Sequence, residues 1–515
     1  MAKHQTKTSR PFRYWIFARK VIQYTALAGF ITLLVVTRAN RGGAIASHIP
    51  MHIDPLVMLA QFLSNRIFLL GSTLAIVIIL LTLLLGRAWC GWLCPLGTLL
   101  DLFPLRKQHK DQPSPPETLR KAKYGLLLIT LFAALLGNLT LLVFDPLTIL
   151  YRTITLSIYP AIDQIISAIE RLLYPIPLFA APISALDTLL RPIILPVEPL
   201  YYRQAVLYAV ILAGIVFLNA FAPRFWCRYI CPLGGLLGLV SKLAIFRRQV
   251  KPGCASCGLC NRACPTGTIN PQKEYASDPS ECTLCLECFQ ACPSGETRLQ
   301  FSLKPAAWQC YDPSRRDLLT YGLAAVGAVG ILNADARTTH PHPHLLRPPG
   351  ADNQRILSRC IRCGVCIRAC PTGALHPAIT ESGLEGLWTP ILIPALGFCD
   401  YSCNTCGLAC PVEAIPPLPL EEKNRQIIGK AYIDENRCIP WSDHTPCIVC
   451  EEMCPVPQKA IILEEVALDK PDGQTTILQR PRVIRERCIG CGICEHRCPV
   501  NGEAAIRVYI ANQPF

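Results

Sequence analysis

The segment C-A-S-C-G-L-C-N-R-A-C-P, from Cys254 to Pro265, sets the pattern that decides the fold of this 515-residue chain. Six segments carry four cysteines each, and in every one a proline follows the last cysteine. Four have the regular C-x2-C-x2-C-x3-C-P spacing, with cysteines at Cys254, Cys257, Cys260 and Cys264, at Cys282, Cys285, Cys288 and Cys292, at Cys360, Cys363, Cys366 and Cys370, and at Cys488, Cys491, Cys494 and Cys498. Two are stretched at their start, with cysteines at Cys399, Cys403, Cys406 and Cys410, and at Cys438, Cys447, Cys450 and Cys454. These 24 of the 29 cysteines indicate six copies of one thiolate-bound group.

The spacing indicates iron-sulfur clusters. Three closely spaced thiolates wrap one [4Fe-4S] cluster, and the fourth cysteine ligates the neighbouring cluster. Structural zinc fits less well, because zinc sites usually join two separated ligand pairs into one tetrahedron. Disulfides also fit less well, because a two-residue gap leaves strained pairings. The sequence therefore predicts six [4Fe-4S] clusters, held in α+β domains of the bacterial-ferredoxin type.

Clusters of this type come in pairs that exchange their last cysteines. In the first pair proximity predicts a crossover, in which Cys292 completes the first group and Cys264 the second. For the last four motifs, matching like with like joins the Cys360 segment to the Cys488 segment and the two stretched segments to each other. Sequential pairing remains open, because spacing alone does not fix topology.

The composition indicates a membrane protein. Hydrophobic residues make up 51% of the chain and charged residues only 17%. Disordered chains are poor in apolar residues, so this composition excludes disorder as the main state. The chain is also too apolar for an ordinary soluble enzyme. A helix that crosses the hydrocarbon needs about 20 predominantly apolar residues. Buried helices of a soluble protein are the alternative. Five stretches are predicted to span the membrane: Val21 to Thr37, Ile67 to Gly86, Tyr124 to Phe144, Gln204 to Pro223 and Leu318 to Ala334.

The distribution of Lys and Arg predicts the orientation of these spans. The formal charge of +14 fits membrane orientation better than nucleic-acid binding, and the first 20 residues carry six basic residues and no acid. Because basic loops stay in the cytoplasm, we expect this tail inside and the third loop outside. Arg315 and Arg316 precede the fifth span. They are either a twin-arginine export signal or the basic residues that commonly flank the cytoplasmic end of a span. Both readings place the residues after 336 outside.

The predicted organisation follows from these spans and motifs. A basic cytoplasmic tail (1–20) is followed by a four-span membrane unit (21–245), a cytoplasmic two-cluster ferredoxin domain (246–312), the fifth, signal-anchor-like span (313–336), a Pro/His linker (337–350) and a periplasmic four-cluster domain (351–515).

A second repeat lies in the predicted membrane unit. R-A-W-C-G-W-L-C-P-L-G, Arg87 to Gly97, recurs as R-F-W-C-R-Y-I-C-P-L-G, Arg224 to Gly234. Self-similarity of this kind indicates two related halves. Four thiols would then converge near a pseudo-two-fold axis, where they could hold a further iron-sulfur centre, form a redox-active dithiol set, or shape the turn. These four are Cys90, Cys94, Cys227 and Cys231.

These motifs together resemble a known pair of proteins. The duplicated C-x3-C-P-L-G unit with two trailing ferredoxin motifs, up to about residue 309, resembles NapH, the membrane component of periplasmic nitrate reduction. The twin-arginine-like segment, the R-P-P-G linker and the four-cluster domain, from 314 to 515, resemble its exported partner NapG and the related MauM of methylamine metabolism. The chain looks like a fusion of the two.

The resemblance implies a function. It implies a quinol dehydrogenase module in the bacterial inner membrane, the electron-transfer subunit of an oxidoreductase complex. Such a module takes electrons from the quinol pool and delivers them to a periplasmic reductase or c-type cytochrome. The alternatives are an assembly or maturation factor that keeps a partner metalloenzyme reduced, and a cytoplasmic polyferredoxin anchored by helices.

Overall fold

The protein is described here from a computed structural model. It covers residues 10–38, 43–105, 117–191, 195–196, 199–302, 314–334, 342–469 and 475–510. Cys310, the one cysteine that belongs to none of the repeated motifs, lies outside these residues, as does the predicted linker up to residue 341. The described residues form two compact units, one from those within 1–34, 48–153 and 206–330, the other from those within 35–47, 154–205 and 331–515.

Helices dominate the first half of the chain; after residue 241 they are short, except for the 20-residue helix Arg315–Ala334. In chain order the helices are α1 (Arg10–Val36), α2 (Gly43–His52), α3 (Pro55–Asn65), α4 (Thr73–Leu85), α5 (Ala88–Trp92), α6 (Pro95–Leu102), α7 (Lys121–Leu135), α8 (Pro146–Thr153), α9 (Tyr159–Leu173), α10 (Pro177–Leu190), α11 (Ala205–Phe217), α12 (Pro232–Ser241), α13 (Leu259–Arg262), α14 (Glu287–Gln290), α15 (Arg315–Ala334), α16 (Asn353–Arg359), α17 (Val365–Ala369), α18 (Thr405–Leu408), α19 (Leu420–Asn424), α20 (Ile439–Ser442), α21 (Val449–Glu452) and α22 (Ile493–His496).

Within the residues that the structure describes, ten strands form five antiparallel pairs. They are β1 (Phe246–Val250), β2 (Ile269–Asn270), β3 (Ala276–Ser277), β4 (Thr297–Phe301), β5 (Leu375–Pro377), β6 (Pro390–Leu392), β7 (Lys430–Ile433), β8 (Ile461–Asp469), β9 (Thr475–Val483) and β10 (Ile506–Tyr509). The pairs are β1 with β4, β2 with β3, β5 with β6, β7 with β10, and β8 with β9.

Strand pairs enclose the cysteine motifs. β1 pairs with β4 from Phe246 opposite Phe301 to Val250 opposite Thr297, so this ribbon brackets the first two motifs. β7 and β10 bracket the last two in the same way, with Ile506 opposite Ile433. The predicted α+β ferredoxin-like domains are therefore present.

One helix is long and apolar enough to cross a membrane in the part of the chain that the structure describes, from Phe12 to Val36. Shorter apolar helices cover 73–85, 205–220 and 232–241. The predicted third span is interrupted, because α7 ends at Leu135 and Gly137 follows with a φ of 83°. The long helix fits a membrane anchor or a signal sequence, and the predicted multi-pass arrangement stays a prediction.

Candidate iron-sulfur and thiol sites

The first ferredoxin domain groups its cysteines across the two motifs. Cys260 interacts electrostatically with Cys254 and with Cys292 of the other motif. Burial raises the pKa of the Cys282 thiol to about 11, and the charge of the nearby Cys264 contributes to this rise. This is the crossover arrangement that the sequence predicts; that each group binds a cluster stays a prediction.

The last four motifs pair sequentially. Cys410 interacts with the thiols of Cys363 and Cys366, and Cys370 with those of Cys399 and Cys406.

The same exchange joins the third and fourth of these motifs. Cys498 interacts with Cys438 and Cys450, and Cys454 with Cys491. Pairing like with like, which we expected, is therefore wrong. The last two motifs exchange their last cysteines because β7 and β10 enclose both of them in one small domain.

Three small cavities in the second unit are each lined by one such group of four cysteines. The groups are Cys360, Cys363, Cys366 and Cys410; Cys438, Cys447, Cys450 and Cys498; and Cys454, Cys488, Cys491 and Cys494. Zinc-sulfur bonds of about 2.3 Å would draw four thiolates around a single point. No three Cys, His, Asp or Glu side chains are arranged in that way among the described residues. Four thiols around a cavity fit a cubane cluster better than a single ion.

The motif backbone explains why these loops can wrap a group. In the four motifs of regular spacing, the residue after the second cysteine has left-handed backbone geometry and directly precedes a short helix. It is Gly258 with φ 72° before α13, Gly364 with φ 81° before α17, and Gly492 with φ 83° before α22. In the second motif Leu286 takes this conformation with φ 64°. The third cysteine of each motif therefore lies in the first turn of a helix.

The second repeat brings its cysteines together in the first unit. Cys94 interacts electrostatically with Cys227 and Cys90, and Cys231 interacts with all three other thiols. Cys94 and Cys231 directly precede α6 and α12. The convergence of the four thiols that the duplication predicts is present in this structure.

The two halves hold each other by a reciprocal contact. Nη1 of Arg224 donates to the carbonyl oxygen of Cys90 at 3.2 Å, and Nη2 of Arg87 donates to that of Cys227 at 3.5 Å. Each arginine occupies the same position of its repeat, three residues before the cysteine whose counterpart it reaches. This exchange is the signature of a pseudo-two-fold relationship.

Buried thiols at this site are poor nucleophiles. Burial raises the pKa of Cys94 and Cys231 well above the ordinary value, and that of Cys227 to about 11. Because the thiolate is the reactive form, these three thiols would be protonated at neutral pH in the absence of a metal. A metal centre, which supplies positive charge to thiolates, or a structural role is favoured over a freely exchanging dithiol.

The indole N–H groups of this repeat fit a cluster. Trp89 and Trp226 stand one residue before Cys90 and Cys227, and both Nε1 atoms are buried without a hydrogen-bond partner. Buried donors in proteins are nearly always paired. The sulfides and thiolates of an iron-sulfur cluster would offer acceptors that the described protein atoms do not.

Comparison with known proteins identifies the family. MauM, a methylamine utilization ferredoxin-type protein of Methylorubrum extorquens, is 34% identical over 206 residues, 38% of this chain and 89% of that protein. MauM of Paracoccus denitrificans is 34% identical over 203 residues, 38% and 87% of the two chains. This chain belongs to the MauM/NapG ferredoxin family. The ferredoxin-type protein NapG of Escherichia coli is 34% identical over 195 residues, 36% of this MauM/NapG-family chain and 79% of NapG.

Family models extend the relationship beyond that region. One described as a 4Fe-4S binding domain matches 67–111 and 204–252, which contain both C-x3-C-P repeats. A second model of that description matches 354–376 and 481–502, and a 4Fe-4S dicluster domain matches 253–296. No solved structure matches the chain. The MauM/NapG-family chain is thus an iron-sulfur electron-transfer protein, while its likeness to NapH stays a prediction.

Sequence patterns missed the charged residues that surround the thiol sites. Glu281 is 1% exposed and contacts Lys123 Nζ at 2.5 Å, Arg87 Nη1 at 3.2 Å and Arg120 Nη1 at 3.4 Å. The only signal was the position of Glu281 directly before Cys282. Asp101 pairs with Arg224, but in the sequence it is a single acid between leucines and nothing there indicates this contact.

Proposed function

We propose that this protein oxidises a membrane quinol and passes the electrons through cysteine-bound [4Fe-4S] clusters to a periplasmic reductase or cytochrome. The 24 motif cysteines would hold six clusters in the groups described above, and Cys90, Cys94, Cys227 and Cys231 a seventh centre. Such clusters supply one-electron carriers. The chain itself would hold these clusters, set their reduction potentials and give the quinol access to them.

The close packing of the C-x3-C-P site on the first ferredoxin domain carries this proposal. A Cβ on Gly91 would lie 2.1 Å from the carbonyl oxygen of Thr283, so only glycine lets the two backbones approach this closely. Nε1 of Trp92 donates to the carbonyl oxygen of Leu284 at 3.0 Å. The thiol site and the Cys282 motif therefore form one packed structure, as neighbouring carriers in an electron path require.

Contacts within the first unit support a shared side for its basic segments. Nη1 of Arg19, near the end of the predicted cytoplasmic tail, donates to the carbonyl oxygen of Cys285 at 2.7 Å. The rings of Phe12 and Phe289 stack with centroids 4.8 Å apart. We therefore assign the tail, both C-x3-C-P repeats and the two-cluster domain to the cytoplasmic face.

Contacts within the second unit support a shared side for the third loop and the four-cluster domain. The guanidinium of Arg368 lies 3.7 Å from the ring centroid of Tyr159. Nε2 of Gln204, the first residue of the predicted span that follows this loop, donates to the carbonyl oxygen of Pro377 at 3.0 Å. Both segments are predicted to be periplasmic, which agrees with the orientation inferred from the basic loops.

Exposed apolar helix faces support additional spans. On α4, Val77 is 57% exposed and Leu80 53%; on α11, Val206 is 76% exposed and Val210 61%. Contiguous apolar surface of this kind marks contact with lipid or with another protein. We propose that α4, α7, α11 and α15 join α1 in the membrane.

Quinol reduction of the protein tests this function. The full chain, purified in detergent under anaerobic conditions, should show reduced clusters by EPR after addition of a menaquinol or ubiquinol analogue. A maturation factor would keep oxidised clusters under the same conditions, although dithionite would reduce them. A reporter fused after Phe515 should be active only outside the cytoplasm, and activity inside would refute the assigned orientation.

A further inference from the structure

A cavity of about 350 Å³ lies in the first unit beside the C-x3-C-P site. This volume is within the range of small-molecule pockets, which is about 300–1,000 Å³. Tyr24 and Leu100 contribute apolar surface, while Gln23, Asp101 and Asn219 contribute polar atoms. The lining therefore suits a ring with polar groups at its edge.

Two side-chain oxygen acceptors line this cavity and could receive hydrogen bonds from a ligand. The first is the amide oxygen of Asn219. Asn219 is 2% exposed; its Nδ2 donates to the carbonyl oxygens of Leu100 at 2.9 Å and Phe103 at 3.3 Å. Those two bonds fix the amide, and its Oδ1 is buried without a partner. A buried carbonyl oxygen without a donor is costly, so a hydroxyl group placed here would be stabilised.

Asp101 is the second acceptor. Its carboxylate receives Nε of Arg224 at 2.7 Å and Nε2 of Gln23 at 3.1 Å, and its side chain is 35% exposed. Burial acts to raise the pKa of Asp101, but the Arg224 guanidinium outweighs it and the pKa is lowered. The group is thus a carboxylate at neutral pH.

The cavity lining touches the backbone of two cysteine sites. Arg224 donates to the carbonyl oxygen of Cys90 at 3.2 Å, and Gln23 to that of Gly91 at 2.9 Å. Arg19, one helical turn before Gln23 on α1, also lines the cavity and donates to the carbonyl oxygen of Cys285 at 2.7 Å. A donor of two electrons bound here would lie beside two separate one-electron acceptors.

We propose that this cavity binds the head group of a membrane hydroquinone, whose two hydroxyl groups donate to Asn219 Oδ1 and to the Asp101 carboxylate; this inference rests on the proposed function. Tyr24, which lines the cavity, is 51% exposed on α1, and the hydrophobic tail would leave along this side chain towards the lipid. The location is cytoplasmic in the orientation inferred above.

The reaction at this site balances as follows. Both O–H bonds of the hydroquinone break and both carbons become carbonyls, with loss of two protons and two electrons. Both protons are released to bulk water at the rim near Glu287, which is partly exposed and lines the cavity; one of them leaves by way of the Asp101 carboxylate, which does not keep it. The two electrons would be taken up by one-electron iron-sulfur carriers, which the C-x3-C-P cysteines and the motif that contains Cys285 would hold.

Binding of 2-heptyl-4-hydroxyquinoline N-oxide, a quinol analogue whose fluorescence is quenched on binding, tests this location without turnover. Asn219→Leu and Asp101→Asn should each weaken binding about tenfold, as loss of one hydrogen bond predicts. Asp187→Asn is the matched control, because Asp187 also pairs with an arginine, Arg191 at 2.6 Å, but lies in the second unit. Its affinity should equal that of the wild type.

The outcomes separate this inference from the proposed function. If quinol reduces the wild-type clusters but neither substitution weakens binding of the analogue, the function stands and this location is overturned. If no quinol reduces the wild-type clusters, the proposed function and this binding location are both refuted. Should the variants lose their clusters, a photoreactive azidoquinone applied to the wild type decides: label in peptides with Tyr24 or 100–104 supports the site, and label only elsewhere overturns it.

Discussion

Arg87 and Glu281 form an ion pair in which both side chains are almost fully buried, with Nη1 and Oε2 3.2 Å apart. Arg87 precedes Cys90 by three residues, and Glu281 directly precedes Cys282. The pair thus ties the C-x3-C-P site to the second ferredoxin motif. Lys123 Nζ approaches the same carboxylate at 2.5 Å, so one acid balances several buried cations.

Glu281→Gln should destabilise the first unit strongly. Removing one partner of a buried ion pair leaves uncompensated charge, which costs about 3–5 kcal/mol. We expect a lower thermal midpoint and incomplete cluster loading, measured by calorimetry and iron content. Glu464→Gln is the control, because Glu464 pairs with exposed Arg482 at 2.7 Å and such pairs contribute about 1 kcal/mol or less. Equal effects of the two substitutions would contradict the role assigned to Glu281.

Sequential pairing of the outer motifs predicts which serine variants share a phenotype. Cys410→Ser should alter the same EPR component as Cys360→Ser, because the two thiols line one cavity. Cys498→Ser should match Cys438→Ser for the same reason. If Cys498→Ser instead changes the component assigned to Cys360, the motifs pair first with last.

The sequence predicts the motifs well because cluster loops are local. Three cysteines within seven residues need one turn of chain, so Cys254 to Cys260 can be interpreted without tertiary information. The exchange of last cysteines is different, because it depends on which motifs fold into one domain. The β7 and β10 ribbon decides that pairing, and β10 begins 76 residues after Lys430.

The buried charges near the thiol sites could not be predicted for a related reason. Nothing in the residues around Glu281 or Asp101 shows that three cations converge on one and that Arg224 reaches the other. The repeat predicted that the halves meet, but not that each arginine would bind the carbonyl oxygen of the other half's cysteine. Such contacts join positions more than 100 residues apart.

Trp89→Phe and Trp226→Phe should lower the reduction potential of the centre at the C-x3-C-P site. An N–H donor to sulfur stabilises the more negative reduced state, and hydrogen bonds to sulfur tune cluster potentials. Redox-poised EPR measures the shift. Trp441→Phe should leave this potential unchanged, because Nε1 of Trp441 already donates to the carbonyl oxygen of Pro481 at 3.2 Å. An unchanged potential in both repeat variants would show that the indoles do not reach a cluster.

Buried His376 should make the second unit less stable in mild acid. Burial lowers the pKa of His376 to about 4, whereas an unfolded histidine titrates near about 6.5. Between these values the unfolded chain takes up a proton that the folded chain does not, so stability falls as pH falls from about 6.5 towards 4. His376→Phe should reduce this slope relative to the wild type, as measured by thermal unfolding at several pH values. Parallel curves would show that His376 is not the group responsible.

Cys90→Ser and Cys227→Ser test whether the four converging thiols hold a metal centre. If they do, each variant should contain about four iron atoms fewer than the wild type, since a cubane that loses a ligand at a buried site is readily lost. Quinol-driven reduction of the outer clusters should fall strongly, while dithionite should still reduce them. Cys257→Ser serves as the comparison, because Cys257 belongs to the first ferredoxin motif and should remove a different EPR component. Wild-type iron content together with wild-type quinol kinetics in both repeat variants would leave these cysteines with only a structural role, because Cys94 and Cys231 would still begin α6 and α12.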